Sequence, residues 1–199
     1  MASHRAEVRQ SRQQSRDRIV AAATELVRRS SYGALTVDEV MREAGFGRTI
    51  FYRHFDDLAD LLLRAGREAI EGLYDVQRAF SEALIGSGPE VARIAIEPVV
   101  AVYQRHGPLL RAIAEAAADD EQIAAGQEAM GRRFDELLEA ALRSMPSVAA
   151  AHADIGEVSR ALNLLNESYL LDSFGRHPRV SAEIAVQTLT EIWAAVIDR

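Results

Sequence analysis

The 199-residue chain contains no cysteine, which excludes disulfides, cysteine-ligated zinc and a cysteine nucleophile. It contains no lysine either, so all 23 basic residues are arginine. Arginine suits bidentate contacts to phosphate and guanine, although the complete absence of lysine is read first as a G+C-rich coding bias. No apolar run approaches the ~20 residues that a bilayer span requires. The polar N-terminus lacks the apolar core of a secretory signal. A soluble, cytoplasmic protein with no membrane partner is therefore expected. Strand-like alternation, internal repeats and low-complexity tracts are all missing. His4, His54, His106, His152 and His177 are scattered, with no pair at metal-ligand spacing. There is no phosphate-cradling glycine motif and no nucleophile elbow. His106, before Gly107-Pro108, reads as a helix-end cap rather than a general base. No catalytic residue, metal or cofactor is expected.

What is present is apolar content of 48%, enough for a sizeable core in one domain and a smaller companion. The net charge of −7 is unevenly spread: residues 1–55 hold ten Arg and six acids, the other 144 thirteen Arg and twenty-four acids. A basic first quarter on an acidic remainder predicts a local phosphate-binding face.

That quarter contains the stretch around which the chain is organised, Thr36 to Leu62. Thr36 and Glu39 form the T-x-x-E pattern of a capping box. Val37, Val40, Met41 and Ala44 then recur at helical spacing, and Gly45 supplies a left-handed stop. The next short helix carries Arg48, Thr49, Tyr52 and Arg53 on one side and Ile50, Phe51 and Phe55 on the other. Basic and polar groups beside an apolar anchor suit a helix laid in a major groove. The pattern predicts a helix-turn-helix.

An all-α fold of about nine helices is expected. Helices are predicted from Arg16 to Ser31, from Asp56-Asp57 through Phe80, over 90–105 with a kink at Pro98, over 108–117, from Asp120 to Met145, and over 154–173 and 180–197. Breaks are read at Ile85–Pro89, at Gly107-Pro108, and as a small-residue linker at 146–153. Residues 1–15 read as a frayed tail or as a flexible basic arm along DNA, with Arg9, Arg12 and Arg16 as its contacts.

The capped helix, the Gly45-Phe46-Gly47 turn, Phe51-Tyr52-Arg53-His54-Phe55 and the acidic-aliphatic start of the following helix resemble the TetR/AcrR family of transcriptional regulators. Ala161-Leu-Asn-Leu-Leu-Asn-Glu167, Ser173-Phe174 and Ile192-Trp193 are similar to its EthR-like (ethionamide-resistance regulator) group. The resemblance implies a DNA-binding domain at 1–56 and a helical effector-binding and dimerisation domain at 57–199. It departs from the family at Gly47, where a capping side chain is usual, and at Leu58, where a phosphate-contacting Lys is usual.

Carried over to this sequence, the family pattern turns Arg48, Thr49, Tyr52, Arg53 and His54 towards a double-stranded operator. Arg48 can donate twice to guanine and Thr49 can touch a thymine methyl. Tyr52 and His54 hold phosphate, or Tyr52 belongs to the headpiece core. Thr36 either donates to phosphate or serves only as a cap. A homodimer is implied, joined through a four-helix bundle for which Leu162, Leu165, Tyr169, Ile184, Leu189, Ile192 and Val196 are the candidates. Asn163 and Asn166 lie three apart on an apolar helix beside Glu167. They either bond backbone across the helix pair or supply the polar groups of a tunnel for a small lipophilic effector. Val99, Tyr103, Phe134, Leu137, Leu138, Leu170 and Trp193 would line that tunnel, with Gly131 replacing a larger residue. The function implied is ligand-responsive regulation, usually repression relieved by ligand. The alternative is a helical small-molecule carrier without specific DNA binding.

Overall fold

The computed structural model describes residues 2–83 and 89–197, and among them there are helices and no strands. Nine α-helices follow one another: α1 (Ala2–Arg29), α2 (Val37–Ala44), α3 (Arg48–Phe51), α4 (Leu58–Ala83), α5 (Pro89–Ala116), α6 (Glu121–Arg143), α7 (Pro146–Ala151), α8 (Ile155–Phe174) and α9 (Ala182–Ile197). A single 3₁₀ turn, Tyr32–Ala34, lies between α1 and α2. The all-α architecture is as expected.

The local signals act as their chemistry dictates. The Thr36 hydroxyl accepts from the Glu39 N–H while the Glu39 carboxylate accepts from the Thr36 N–H, closing the capping box. Gly45 ends α2 at φ 71°, a left-handed conformation that glycine adopts without a Cβ clash. Arg18 donates to the Ala44 carbonyl at 2.7 Å and lies 4.4 Å above the Phe46 ring, so α1 caps the C-terminus of α2. Asp120 caps α6 by accepting from Gln122 and Ile123, and Asp154 caps α8 through Glu157.

Three expectations about element boundaries are corrected. Residues 2–15 are helical and continuous with the rest of α1. Neither Gly nor Pro occurs from Ala2 to Arg29, and Ala, Glu, Gln and Arg favour helix. Gly107-Pro108 does not end a helix, because α5 runs through both. Gly107 is there for contact: a Cβ on it would lie 2.3 Å from the Phe174 carbonyl oxygen, so only glycine allows α5 to press on the end of α8. The small-residue linker forms α7, with Pro146 at its first turn, where a missing N–H costs nothing. Of the break read at Ile85–Pro89, residues 85–88 lie outside the described residues and Pro89 opens α5.

Two cores result. The first joins α1–α3 to the start of α4, around Ile19, Met41, Phe51, Phe55, Leu61 and Leu62. It is completed by Leu109, Ala112, Ile113 and Ala116 of α5 and Ile123 of α6. The second lies among the rest of α4, the first half of α5, and α6, α8 and α9, and includes Ile96, Val100, Leu138, Leu170, Leu189 and Trp193. Full burial of each such large side chain stabilises by roughly 1.5–3 kcal/mol. The packing of the headpiece thus extends past residue 56, into 59–62 and 109–123. Glu115 clamps the same junction: its carboxylate accepts from the Tyr32 N–H at 3.0 Å, Arg111 at 3.0 Å and Arg176 at 3.4 Å.

Candidate nucleic-acid interface and effector cavity

α3 is a single turn. Gly47, its N-cap, has no side chain to accept a hydrogen bond, and Phe51 and Phe55 pin the turn to the core with ring centroids 5.5 Å apart. The opposite side is open to solvent, where Arg48, Thr49, Tyr52 and Arg53 are all exposed. Tyr52 is 52% exposed, which removes it from the headpiece core. Arg48 is held ready rather than loose. Its guanidinium pairs with Asp38 at 3.3 Å, donates to the Tyr52 hydroxyl at 3.1 Å and stands 5.7 Å from that ring. Every one of these partners is exposed, so the set can open towards a base edge at little cost.

Thr36 is exposed, but its hydroxyl already donates to the Glu39 carboxylate at 2.9 Å, which commits it to the cap. His54 faces α1 rather than the open side: it is half-buried, with Nε2 2.9 Å from the Ser15 hydroxyl. Burial, then the nearby Arg12, Arg16 and Arg53, lower its pKa. Leu58 is half-buried against the first core. Arg12 donates to the Arg53 carbonyl at 3.0 Å, so α1 docks at that point on the turn that follows α3. Arg9, Arg12, Arg16, Arg53 and Arg64 line one groove there. Of these, Arg64 is neutralised by Asp60 at 2.6 Å.

A separate cavity of about 130 Å³ lies between α4, α5, α6 and α8. Val99, Tyr103, Phe134, Asn163, Asn166 and Glu167 line it as expected, with Gly131. Leu137, Leu138, Leu170 and Trp193 do not. Leu138, Leu170 and Trp193 are turned into the second core, and Leu137, next to Leu138 in sequence, is half-buried. Ile70 and Leu73 of α4, Leu110 and Ile113 of α5, Gln127, Met130 and Asp135 of α6, and Leu164 and Leu171 of α8 take part instead. No local signal distinguishes these from other apolar helix positions, apart from their spacing to the residues correctly placed.

The two amides bond side chains, not backbone. Asn163 donates to the Asp135 carboxylate at 2.8 Å, and Asn166 accepts from Trp193 Nε1 at 3.2 Å. Trp193 therefore stands behind the cavity wall and fixes the rotamer of Asn166. Glu167 is at the mouth, partly exposed, and the apolar surroundings raise its pKa.

Comparison with known proteins agrees with this geometry. Residues 19–65 match the signature of bacterial regulatory proteins of the tetR family. Residues 92–198 match the C-terminal domain of the transcriptional regulator EthR. The chain belongs to the TetR/AcrR family, with an EthR-like C-terminal domain. A comparison with curated protein sequences gives no match. Solved structures of similar fold include the TetR-family regulator PfmR from Thermus thermophilus, with 20% identity over 91% of this chain and 99% of that one, at a TM-score of 0.72. A TetR-like transcriptional regulator from a Rhodococcus species shares 14% identity over 92% and 95%, at 0.71. A TerR/AcrR-family regulator from Aquifex aeolicus shares 16% over 92% and 99%, at 0.67. At such identities the likeness is one of fold. The family is one of DNA-binding transcriptional regulators and not of enzymes.

In this TetR-family chain the last two helices separate into two faces. Leu162 and Leu189 were expected at a dimer interface but are 5% and 0% exposed, enclosed by their own protomer. Leu165, Ile184 and Ile192 face outward at 36%, 54% and 38%, while Tyr169 and Val196 are half-buried between. Among the described residues no helix is long and apolar enough to cross a membrane.

Proposed function

We propose that the protein is a ligand-responsive repressor that binds a palindromic operator as a homodimer and leaves it when a small lipophilic effector enters the cavity. The observation that carries this reading is the double membership of Ile113, which lines the cavity and packs in the headpiece core. An effector touching Ile113 acts at one remove on α4 and on the groove-facing turn. The motion required is a population shift: ligand favours a conformation in which the two headpieces no longer match successive major grooves, about 34–36 Å apart.

Arg48 and Thr49 read base edges in this scheme. Tyr52 and Arg53 hold phosphate, joined by Arg9, Arg12 and Arg16 of α1. His54 fixes the register indirectly, through Ser15. The outward face of Leu165, Ile184 and Ile192 supplies the apolar layer of a two-fold four-helix bundle.

Fluorescence anisotropy with the DNA flanking the protein's own gene tests the reading. Specific binding that weakens steeply with salt is expected, together with a dimer at micromolar concentration in sedimentation. Absence of specific DNA binding at every salt concentration would leave a helical small-molecule carrier in place of a regulator.

A further inference from the structure

Charge in the cavity wall is one-sided. Asp135 and Glu167 both line it, and no Arg or His does so among the described residues. Asp135 accepts from the Asn163 amide, a bond that satisfies an oxygen without cancelling its charge. Arg160 lies within Coulombic reach of Asp135, but it is ion-paired to Glu157 at 2.9 Å and is not part of the wall. Tyr103 adds a second and independent observation. It is only 7% exposed, it lines the cavity, and its hydroxyl has no hydrogen-bond partner among the described residues. A phenol so placed on the wall can accept a hydrogen bond from an ammonium group in the cavity.

Two carboxyl groups, a phenol and the rings of Tyr103 and Phe134 make a poor host for an anion and an indifferent one for a neutral lipid. They suit a positive charge on an apolar body, which gains ion pairing at one end and ring contact along the other. We propose that the effector is a lipophilic cation, an amine or quaternary ammonium carried on an aromatic or alkyl group. Its cationic end lies between Glu167 and Asp135, and its body lies against Phe134 and the apolar wall. This rests on the reading of the cavity as the effector site. The cavity of about 130 Å³ is near the ~150 Å³ that suffices for a benzene-sized group. Glu167 is desolvated by the same wall, so its ionised form is disfavoured until a cation arrives.

Calorimetric titration of the full-length protein with 4-phenylbutylamine, 4-phenylbutanol and 4-phenylbutyrate holds the apolar body fixed and changes only the charge. The amine is expected to bind about tenfold more tightly than the alcohol, and the carboxylate more weakly than either. Glu167→Gln should bring the amine close to the alcohol, removing the roughly tenfold preference. An unchanged helical circular dichroism spectrum shows that the variant is folded. An alcohol or carboxylate that equals the amine overturns the charge assignment, and so does an amine preference intact in Glu167→Gln. Either result leaves the effector cavity standing. Failure of all three compounds to bind overturns both.

Discussion

Ile113 occupies the space that a side chain on Gly66 would need: a Cβ built on Gly66 lies 2.4 Å from Ile113 Cδ1. The pair joins α4 to α5 at Ile113, which among the described residues is the one shared by the cavity and the headpiece core.

Gly66→Ala should therefore separate stability from ligand binding. The clash is with the tip of a flexible side chain, and moving it costs roughly 0.5–1.5 kcal/mol. Replacing a mid-helix glycine by alanine returns about 1 kcal/mol. The two nearly cancel, so the melting temperature should stay within about 5 °C of the parent. Ile113, pushed away from α4, has the cavity to move into. Effector affinity measured by calorimetry should fall severalfold while DNA affinity without ligand changes little.

Gly107 should behave in the opposite way. Its would-be neighbour is the backbone of Phe174, which cannot swing aside. Gly107→Ala should destabilise by about 3 kcal/mol in urea unfolding, at the upper end of the range for overpacking. Gly126→Ala, in an exposed turn of α6 with open space around the added methyl, should instead stabilise by about 0.5–1 kcal/mol. Equal effects at the two positions would contradict the packing described.

This contrast shows where the sequence could and could not be read. Thr36, Glu39 and Gly45 act within a few residues of themselves, so capping box and left-handed stop are legible in order and spacing. Gly107-Pro108 looks like the same kind of stop, but its meaning depends on Phe174, sixty-seven positions away. Among the apolar residues of α8 and α9, periodicity identifies buried faces without saying whose core buries them. Leu162 and Leu189 therefore read as outward, and Leu164 carries no sign of its place in the cavity wall. The polar groups Asn163, Asn166 and Glu167 do reveal the cavity, because an amide or acid on an apolar helix requires an explanation. Its apolar wall carries no comparable mark, so Ile113 escapes notice and Trp193 reads one layer too far forward. His54 looks like a phosphate ligand until the helical continuation of α1 brings Ser15 to it.

Arg48→Ala should lower specific DNA binding by about 1–3 kcal/mol, the value of one good base contact. Thermal stability should stay unchanged, since the Asp38 pair that is lost lies on the surface. Arg12→Ala should weaken binding to specific and random duplexes alike, and reduce the salt dependence by about one phosphate contact. Anisotropy titrations at several salt concentrations distinguish a base reader from a backbone holder.

The raised pKa of Glu167 has a definite sign in the stability of the protein. The folded chain holds this proton to higher pH than the unfolded chain does. Stability due to this group is therefore present at acid pH, and it falls as pH rises from the ordinary carboxylate range through the folded pKa. Glu167→Gln carries no titrating proton. Urea unfolding should show the variant more stable than the parent at pH 7 and equal to it at pH 4. A parent that exceeds the variant at pH 7 would mean that the carboxylate is stabilised in the folded protein, against the desolvation described.

α5 runs for 28 residues, about 42 Å, with its first half in one core and its last turns in the other. A chain severed after residue 56 would take Phe51 and Phe55 away from Leu61, Leu62, Leu109 and Ile113, and leave them facing water. The α3 turn consequently has no independent existence as a folded module. Heat, denaturant or a protease that opens the C-terminal half unseats the exposed face of α3 in the same event, so a damaged molecule cannot keep that face folded by itself.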